Sequence, residues 1–252
     1  MPVSRENTRT QFVSFSGIDG SGKSTQIDNL CACLKKDGVQ VQLIRFWDDI
    51  ARLKQVRETT GHKVFKGDKG VGSPTAPINR RDKNVQSWPM TCVRLFLYFI
   101  DAVSTRVAVK KALRSGADLV VFDRYTYDEL ANLNLRNPVI RTYVQLIMMF
   151  VPRPHISYLL DADPMAARAR KPEYPLDFLH FNRQAYLSLS RLIGGITVIA
   201  PMPIEEVKRE VVKHAMEELS LAAVHRQKEI GITHREGDEP AKLDGPHARP
   251  AA

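Results

Sequence analysis

The sequence predicts a three-layer α/β fold in which helices cover both faces of a five-stranded parallel sheet. Strand-like and helix-like segments alternate along the chain, and some strand-like runs are almost entirely apolar, as in parallel strands buried on both faces. The first strand, helix and second strand fit within residues 11–46, which is a βαβ unit with parallel strands and a right-handed crossover. The 252 residues, 43% hydrophobic and 26% charged, are enough to build a core without disulfides or a structural metal.

Each element follows from a local pattern. The strands are predicted at residues 11–16, 39–46, 118–122, 155–160 and 195–200. The helices are predicted from the glycine-rich turn to Gly38, from Pro89 to Ser115, in the section up to Phe150, from Pro164 onwards, and from Ile204 to Leu219. The long second helix is indicated by apolar residues at helical spacing, namely Val93, Phe96 or Leu97, Ile100, Val103 and Val107.

Most of the net positive charge lies outside these predicted strands and helices. Residues 51–90 carry nine basic and three acidic side chains, which is +6 of the net charge of +9. We therefore divide the chain into a polar extension (1–10), a folded domain (11–222) with a basic loop insertion at about 60–87, and a disordered polar tail (223–252). The polar start, the lack of an apolar run of ~20 residues and the odd cysteine count predict a cytoplasmic protein without a membrane span or disulfide framework.

The chemistry is indicated by one glycine-rich segment. Residues 17–24, called the phosphate loop below, read GIDGSGKS and match G-x-x-x-x-G-K-[ST] between a predicted strand and a predicted helix. Its glycines let backbone N–H groups turn inward around a phosphate, and the helix start adds partial positive charge. Lys23 would reach the β- and γ-phosphates, and the Ser24 hydroxyl would ligate Mg²⁺. The predicted ATP-binding residues are Gly17, Gly20, Ser21, Gly22, Lys23, Ser24 and Thr25.

The segments around this loop resemble the thymidylate kinases. The similarity begins with FVSFSGIDGSGKSTQ and continues in order with IRF, LVVFDRY, RPHISYLLDADPMAARAR and DFLHFNRQAYLSL, covering about residues 11–215. The resemblance implies a P-loop kinase fold with a short lid, in which ATP with Mg²⁺ phosphorylates a nucleoside monophosphate, most specifically dTMP to dTDP. It also implies a homodimer formed through the long helices.

The resemblance further implies roles for individual residues. Asp19 would accept a hydrogen bond from the sugar 3′-hydroxyl of the acceptor, and Arg45 and Arg124 would hold the acceptor phosphate. Asp123 would bind Mg²⁺ together with Ser24, since a carboxylate at the end of a buried strand is costly without a partner. The remaining expected acceptor contacts are Phe46, Tyr125 and Phe99.

The lid segment 166–171 is expected to supply a guanidinium for the transferred phosphoryl group. The phosphate loop has no arginine between Asp19 and Lys23, and a fork-shaped guanidinium suits the charge that spreads over the equatorial oxygens. Arg168 and Arg170 are the two residues predicted for this role.

The chain also departs from the family pattern. Asp101 or Ala102 stands where the long helix usually carries an arginine, so either Arg94 or Arg106 takes its role or the acceptor differs. Trp47 replaces the proline that commonly follows Arg-Phe, which alters the wall on which a base could stack. Three aromatic residues of the long helix are either further stacking partners for a base or, as is more common, core residues: Phe96, Tyr98 and Phe99.

Two other functions fit parts of the sequence. A nucleoside hydroxyl as acceptor needs a carboxylate base, for which Asp48 or Asp49 is suitably placed after the second strand; the DRY and lid segments favour the phosphate acceptor. The basic segment 51–90 suggests an NTP-dependent nucleic-acid-binding protein, although Phe65 and Trp88 at its ends are its sole aromatic residues.

Overall fold

The fold is the predicted α/β sandwich around an all-parallel sheet. The computed structural model describes residues 10–50 and 88–219. Its strands are β1 (Gln11–Ser16), β2 (Val41–Arg45), β3 (Leu119–Asp123), β4 (Ile156–Leu160) and β5 (Thr197–Ile199), in the spatial order β2-β3-β1-β4-β5. All pairs are parallel, so the carboxyl ends of the five strands lie along one edge. The predicted fold class is confirmed.

The helices connect these strands as expected for parallel crossovers. They are α1 (Lys23–Lys36), α2 (Trp88–Ala112), α3 (Thr126–Leu130), α4 (Pro138–Phe150), α5 (Pro164–Arg170), α6 (Leu176–Ile193) and α7 (204–219), with a π-helical turn at Phe46–Ile50 after β2. The described residues divide into two units, one of residues 10–50 and 88–213 and one of residues 214–219. Within the described residues, no helix combines the length and apolar character that a membrane crossing requires.

Three predicted segments fall largely or wholly outside the described residues. They are the polar extension at 1–10, of which only Thr10 is described, the basic insertion at 60–87, and the polar tail at 223–252. The nucleic-acid hypothesis depends on the second of these and stays a prediction.

Two helical layers enclose the sheet because the strand residues alternate between its faces. On one face, Phe12 and Phe122 belong to a core cluster with Ala102 of α2 and Val144 of α4. On the other face, α1 contacts β1, β2 and β3. The Tyr158 hydroxyl of β4 donates to the Val211 carbonyl of α7 at 3.2 Å, which ties α7 to the sheet.

The long helix α2 is buried on a different side from its most obvious apolar residues. The buried positions are Tyr98, Asp101, Ala102, Thr105, Val109 and Ala112, whereas Phe96 and Val107 are 64% and 54% exposed. Small residues on the buried side allow α2 to pack closely against α3, α4 and the π-helical turn. The periodicity therefore predicts the helix correctly, but its apolar stripe lies largely outside the core of this chain.

Candidate active site

The candidate site lies where β1, β3 and β4 end side by side. Phe15 of β1 pairs with Asp123 of β3, and Ser16 of β1 pairs with Leu159 of β4. The segments that follow these strand ends therefore meet at the middle of the carboxyl edge. Ligands of open parallel sheets bind at this edge, where neighbouring connections leave in opposite directions.

The phosphate loop follows β1, and its shape requires glycine at two positions. Gly17 (φ +143°) and Gly20 (φ +80°) have backbone conformations that side chains disfavour. A Cβ on Gly17 would lie 2.5 Å from the Leu160 carbonyl oxygen, and one on Gly20 would lie 2.2 Å from that of Ala167. The loop is thus packed against β4 on one side and against α5 on the other.

The start of α1 is suited to an anion. Gly22 caps the helix in a left-handed conformation without any side-chain hydrogen bond, and the first turn contains no acidic residue. Ser24 and Thr25 are exposed in this turn, and Ser21 is half-buried beside it. Backbone N–H groups at a helix start, combined with the helix dipole, bind phosphate without further specialisation.

Lys23 is folded into the phosphate loop. Its side chain is buried, and Nζ donates to the carbonyl oxygens of Gly17 at 2.8 Å and Ile18 at 2.9 Å. Burial, together with the nearby Arg124 guanidinium, lowers the pKa of Lys23 to about 8, against the opposing effect of the carboxylates around it. The ammonium is therefore mostly charged at neutral pH and held at the place where a phosphate chain would enter.

Arg124 connects the phosphate loop to the interior. It follows β3 with a φ of +69°, and its Nη2 donates to Asp19 Oδ1 while its Nη1 donates to Asp128 Oδ1 at 3.0 Å. Lys171, at the end of α5, places Nζ 3.9 Å from Asp19 Oδ1. Burial alone would lower the pKa of Arg124, but Asp128 and Asp19 raise it above its ordinary value, so the guanidinium stays charged. Asp128 also accepts from the hydroxyls of Ser16 and Tyr186. We call these five side chains the Arg124 cluster: Ser16, Asp19, Arg124, Asp128 and Tyr186.

The Asp123 carboxylate is suited to a metal site that it would share with the Ser24 hydroxyl. Its carboxylate is half-buried, and burial raises its pKa against the lowering effect of Arg124 and Lys23. Among the residues that the structure describes, the Asp123 carboxylate has no hydrogen-bond partner, and no group of three or more histidine, cysteine or acidic residues could hold a metal. A carboxylate and the Ser24 hydroxyl are oxygen donors of the kind Mg²⁺ accepts, and Mg²⁺ usually takes its other ligands from water and substrate phosphates.

The lid helix α5 lies directly on the phosphate loop. Pro164 opens the helix, the Asp163 carboxylate caps it by accepting from the Ala166 N–H at 2.9 Å, and the backbone of Ala167 meets Gly20. Arg170 Nε donates to the Gly20 carbonyl oxygen at 2.8 Å. Arg168 is partly exposed. Of the two lid arginines, Arg170 is the one in contact with the loop.

The residues expected to contact the acceptor differ in their exposure. Arg45 is exposed at the end of β2, paired in register with Asp123. Phe46 and Tyr125 are fully buried; Phe46 packs edge-on against Trp47, and the Tyr125 hydroxyl donates to the Pro152 carbonyl. Phe99, on α2, is 47% exposed and has its ring centroid 6.2 Å from that of Phe150.

The structure also shows the surroundings of the residues considered for the departures from the family pattern and for the alternative acceptor. Asp101 and Ala102 are fully buried. Arg106 Nη1 donates to the Phe150 carbonyl at 2.6 Å and its guanidinium lies 5.0 Å from the centroid of that ring. Asp49 Oδ2 accepts from the backbone N–H of Arg45 at 2.7 Å, and Asp48 is exposed beside it. Arg106 is thus bound at the end of α4.

Sequence reasoning missed several side chains at this edge. Asp128 stands four residues after Arg124, a spacing that brings side chains together in a helical turn and could have indicated it. Tyr186 lies far away in the sequence and gave no signal. Asp161, after β4, binds Arg183 of α6 through two hydrogen bonds of 2.6 Å, again between positions that no local pattern connects.

Comparison with known proteins gives one consistent result, although no protein-family model matches the chain. A probable thymidylate kinase of Archaeoglobus fulgidus is 28% identical over 209 residues, which is 80% of this chain and 93% of the relative. One of Pyrobaculum calidifontis is 27% identical over 229 residues, with coverages of 85% and 100%. A thymidylate kinase of Bifidobacterium longum is 28% identical over 190 residues, covering 71% and 83%. The chain is similar to proteins named thymidylate kinase over most of its length.

Proposed function

We propose that this chain is a kinase of the thymidylate kinase type that transfers the γ-phosphoryl group of ATP to dTMP, forming dTDP. The observation that carries the proposal is the contact between the phosphate loop and Arg124, made through Asp19. A loop suited to a triphosphate thereby adjoins a half-buried arginine suited to a second phosphate. The similarity to named thymidylate kinases supports the same reaction and the same acceptor.

On the donor side, the loop amides and Lys23 would hold the β- and γ-phosphates. The phosphate oxygens would replace the carbonyl oxygens of Gly17 and Ile18 as partners of Nζ. Arg170 lies on the loop at Gly20, from where its guanidinium can neutralise charge on the transferred group. Phosphoryl transfer needs mainly this positioning and charge stabilisation, because the protein forms no covalent bond to the phosphoryl group.

On the acceptor side, Arg124 and Arg45 would bind the monophosphate. A monophosphate oxygen is already ionised near pH 7, so the reaction requires no general base. This supports a nucleoside monophosphate over a nucleoside hydroxyl as acceptor, since Asp49 already accepts a hydrogen bond from the backbone N–H of Arg45. Asp19, beside Arg124, would accept the sugar 3′-hydroxyl.

Ser24 and Asp123 would hold Mg²⁺. When bound, the ion would supply positive charge to the β- and γ-phosphate oxygens. The support is the oxygen-donor set described above, in which Asp123 has no competing hydrogen bond among the described residues.

A panel that measures ATP consumption with every nucleoside monophosphate and nucleoside tests the reaction. Turnover is expected with dTMP and Mg²⁺, and Lys23→Ala should reduce it by about 10³-fold, because the variant loses a charge that contacts the transferred group. Lys35→Ala, on the exposed end of the same helix, is the matched control. Turnover with nucleosides alone would overturn the assignment of a monophosphate as acceptor. No turnover with any acceptor would overturn the kinase proposal.

The proposed catalytic domain spans residues 11–222 and acts as a homodimer through α2. The exposed apolar side of α2, with Phe96 and Val107, supports a protein partner for this helix. Sedimentation at micromolar concentration should give a dimer that Val107→Glu dissociates. A wild-type monomer, or a dimer unaffected by this substitution, would contradict the proposed interface.

A further inference from the structure

Asp128 is a buried carboxylate that accepts from four donors at the candidate site, and no sequence motif assigns it a role. We propose that Asp128 is a positioning residue that holds Arg124 ready to receive the acceptor phosphate. The inference rests on the proposed function, because it gives Arg124 an acceptor to bind.

Asp128 is 3% exposed and accepts hydrogen bonds from four donors. Oδ2 accepts from the Ser16 hydroxyl at 2.6 Å and from the Tyr125 backbone N–H at 3.2 Å. Oδ1 accepts from the Tyr186 hydroxyl at 2.7 Å and from Arg124 Nη1 at 3.0 Å. Burial raises the pKa of Tyr186, so that hydroxyl keeps its proton and remains a donor. The carboxylate is therefore fixed from β1, from α6 and from its own turn.

Arg124 needs such support because its backbone is strained. It is the one non-glycine residue with a positive φ in the described part of the chain, and the surroundings must enforce such a left-handed conformation. Its backbone N–H donates to the Phe15 carbonyl at 3.0 Å, and Asp128 holds the far end of the side chain. These two anchors determine the direction of the guanidinium.

The two carboxylates that bind Arg124 are not equivalent. The side chain of Asp128 is 1% exposed and lies behind the guanidinium, while that of Asp19 is 13% exposed and belongs to the phosphate loop. An acceptor phosphate arriving from solvent would meet Arg124 on the Asp19 side. Asp128 would keep its contact throughout, so that the arginine is already oriented when the phosphate binds, which lowers the entropy cost of binding.

The alternative is that Asp128 merely stabilises the fold. Loss of a purely structural role would weaken the binding of both nucleotides alike. Loss of a positioning role should weaken binding of the acceptor nucleotide and leave the affinity for the donor nucleotide unchanged. Asp128→Asn keeps the size of the side chain but removes its charge and turns one acceptor into a donor that faces other donors.

Calorimetric binding of dTMP and of ADP to the full-length chain separates the two roles. Asp128→Asn should weaken dTMP binding by about tenfold or more, the usual effect of losing a hydrogen bond to a charged group, and change ADP affinity by less than about twofold. In an Arg124→Ala background, the same substitution should change dTMP binding little, because Asp128 acts through Arg124. Asp118→Asn, at the opposite end of β3, is the control.

Three outcomes would overturn the inference: equally weakened binding of dTMP and ADP, unchanged dTMP binding, or an additive loss of dTMP affinity in the Arg124→Ala background. If Asp128→Asn does not fold, Tyr186→Phe carries the test, since it removes one support of Asp128 and leaves Arg124 in place. It should weaken dTMP binding by about two- to fivefold at constant ADP affinity, and unchanged dTMP binding would overturn the inference. A wild-type chain that binds dTMP without turnover would refute the proposed reaction alone; one that binds no dTMP would refute both.

Discussion

The phosphate loop and the Arg124 cluster adjoin at the same edge of the sheet but are built in different ways. The loop is eight consecutive residues whose backbone groups are proposed to bind phosphate, and its glycines are required by close contacts with β4 and α5. The Arg124 cluster consists of side chains from β1, the loop, α3 and α6, held together by hydrogen bonds and charge. The comparison teaches that a site made of contiguous backbone is visible in sequence, while one made of converging side chains is not.

The largest effect that would test this contrast is expected at the lid, where a side chain completes the backbone loop. Arg170→Ala should lower kcat by about 10²–10³-fold, as when one group that stabilises transition-state charge is removed. Arg168→Ala is the matched variant from the same helix and should lower kcat by less than about tenfold. Steady-state kinetics measure both, and a larger loss for Arg168→Ala would show that the other lid arginine serves the reaction.

A second substitution tests whether the loop backbone itself determines the donor site. Gly20→Ala should lower kcat/KM by about 100-fold, because its Cβ would push the backbone of Ala167 and with it Arg170 away by about 1 Å. Gly38→Ala is a matched control, since Gly38 also has φ +80° but has no atom within 4 Å of an added Cβ.

The control should cost about 1 kcal/mol of unfolding free energy in urea titrations and leave kcat/KM unchanged. Equal kinetic losses in both glycine variants would show that backbone strain, and not contact with the lid, is responsible.

The smallest effect concerns the charge of Lys23. Its pKa is lowered to about 8 in the folded chain, so this group's contribution to stability increases as the pH rises from about 8 towards 10.5, where the unfolded chain still binds the proton. A nucleotide phosphate raises that pKa again, and ADP binding at a pH of about 8.5 should therefore take up a fraction of a proton.

Calorimetry in two buffers of different ionisation enthalpy measures this uptake. Lys23→Arg should abolish it, because a guanidinium stays charged at that pH. Equal binding enthalpies for the wild-type chain in both buffers would contradict the lowered pKa.

Much of the fold could be predicted because its patterns are local. The helix at 204–219 has the predicted bounds, and β1 does too. The predicted β2 (39–46) and β5 (195–200) are longer than the observed strands, since the ends of a strand depend on whether a neighbour pairs with them. The buried side of α2 could not be predicted, because apolar residues occur on more than one of its sides.

The sequence alone determined the phosphate loop, since glycine spacing and a following helix dictate where consecutive amides point. It also determined the alternation of strands and helices, because hydrophobic periodicity acts over a few residues. Only the tertiary structure decided that Arg170 contacts the loop, that Arg124 and Tyr186 both donate to Asp128, and that Phe46 and Tyr125 are buried in the core. The physical reason is that side chains distant in the sequence become neighbours only when strand order and helix packing are fixed, and no local pattern encodes either.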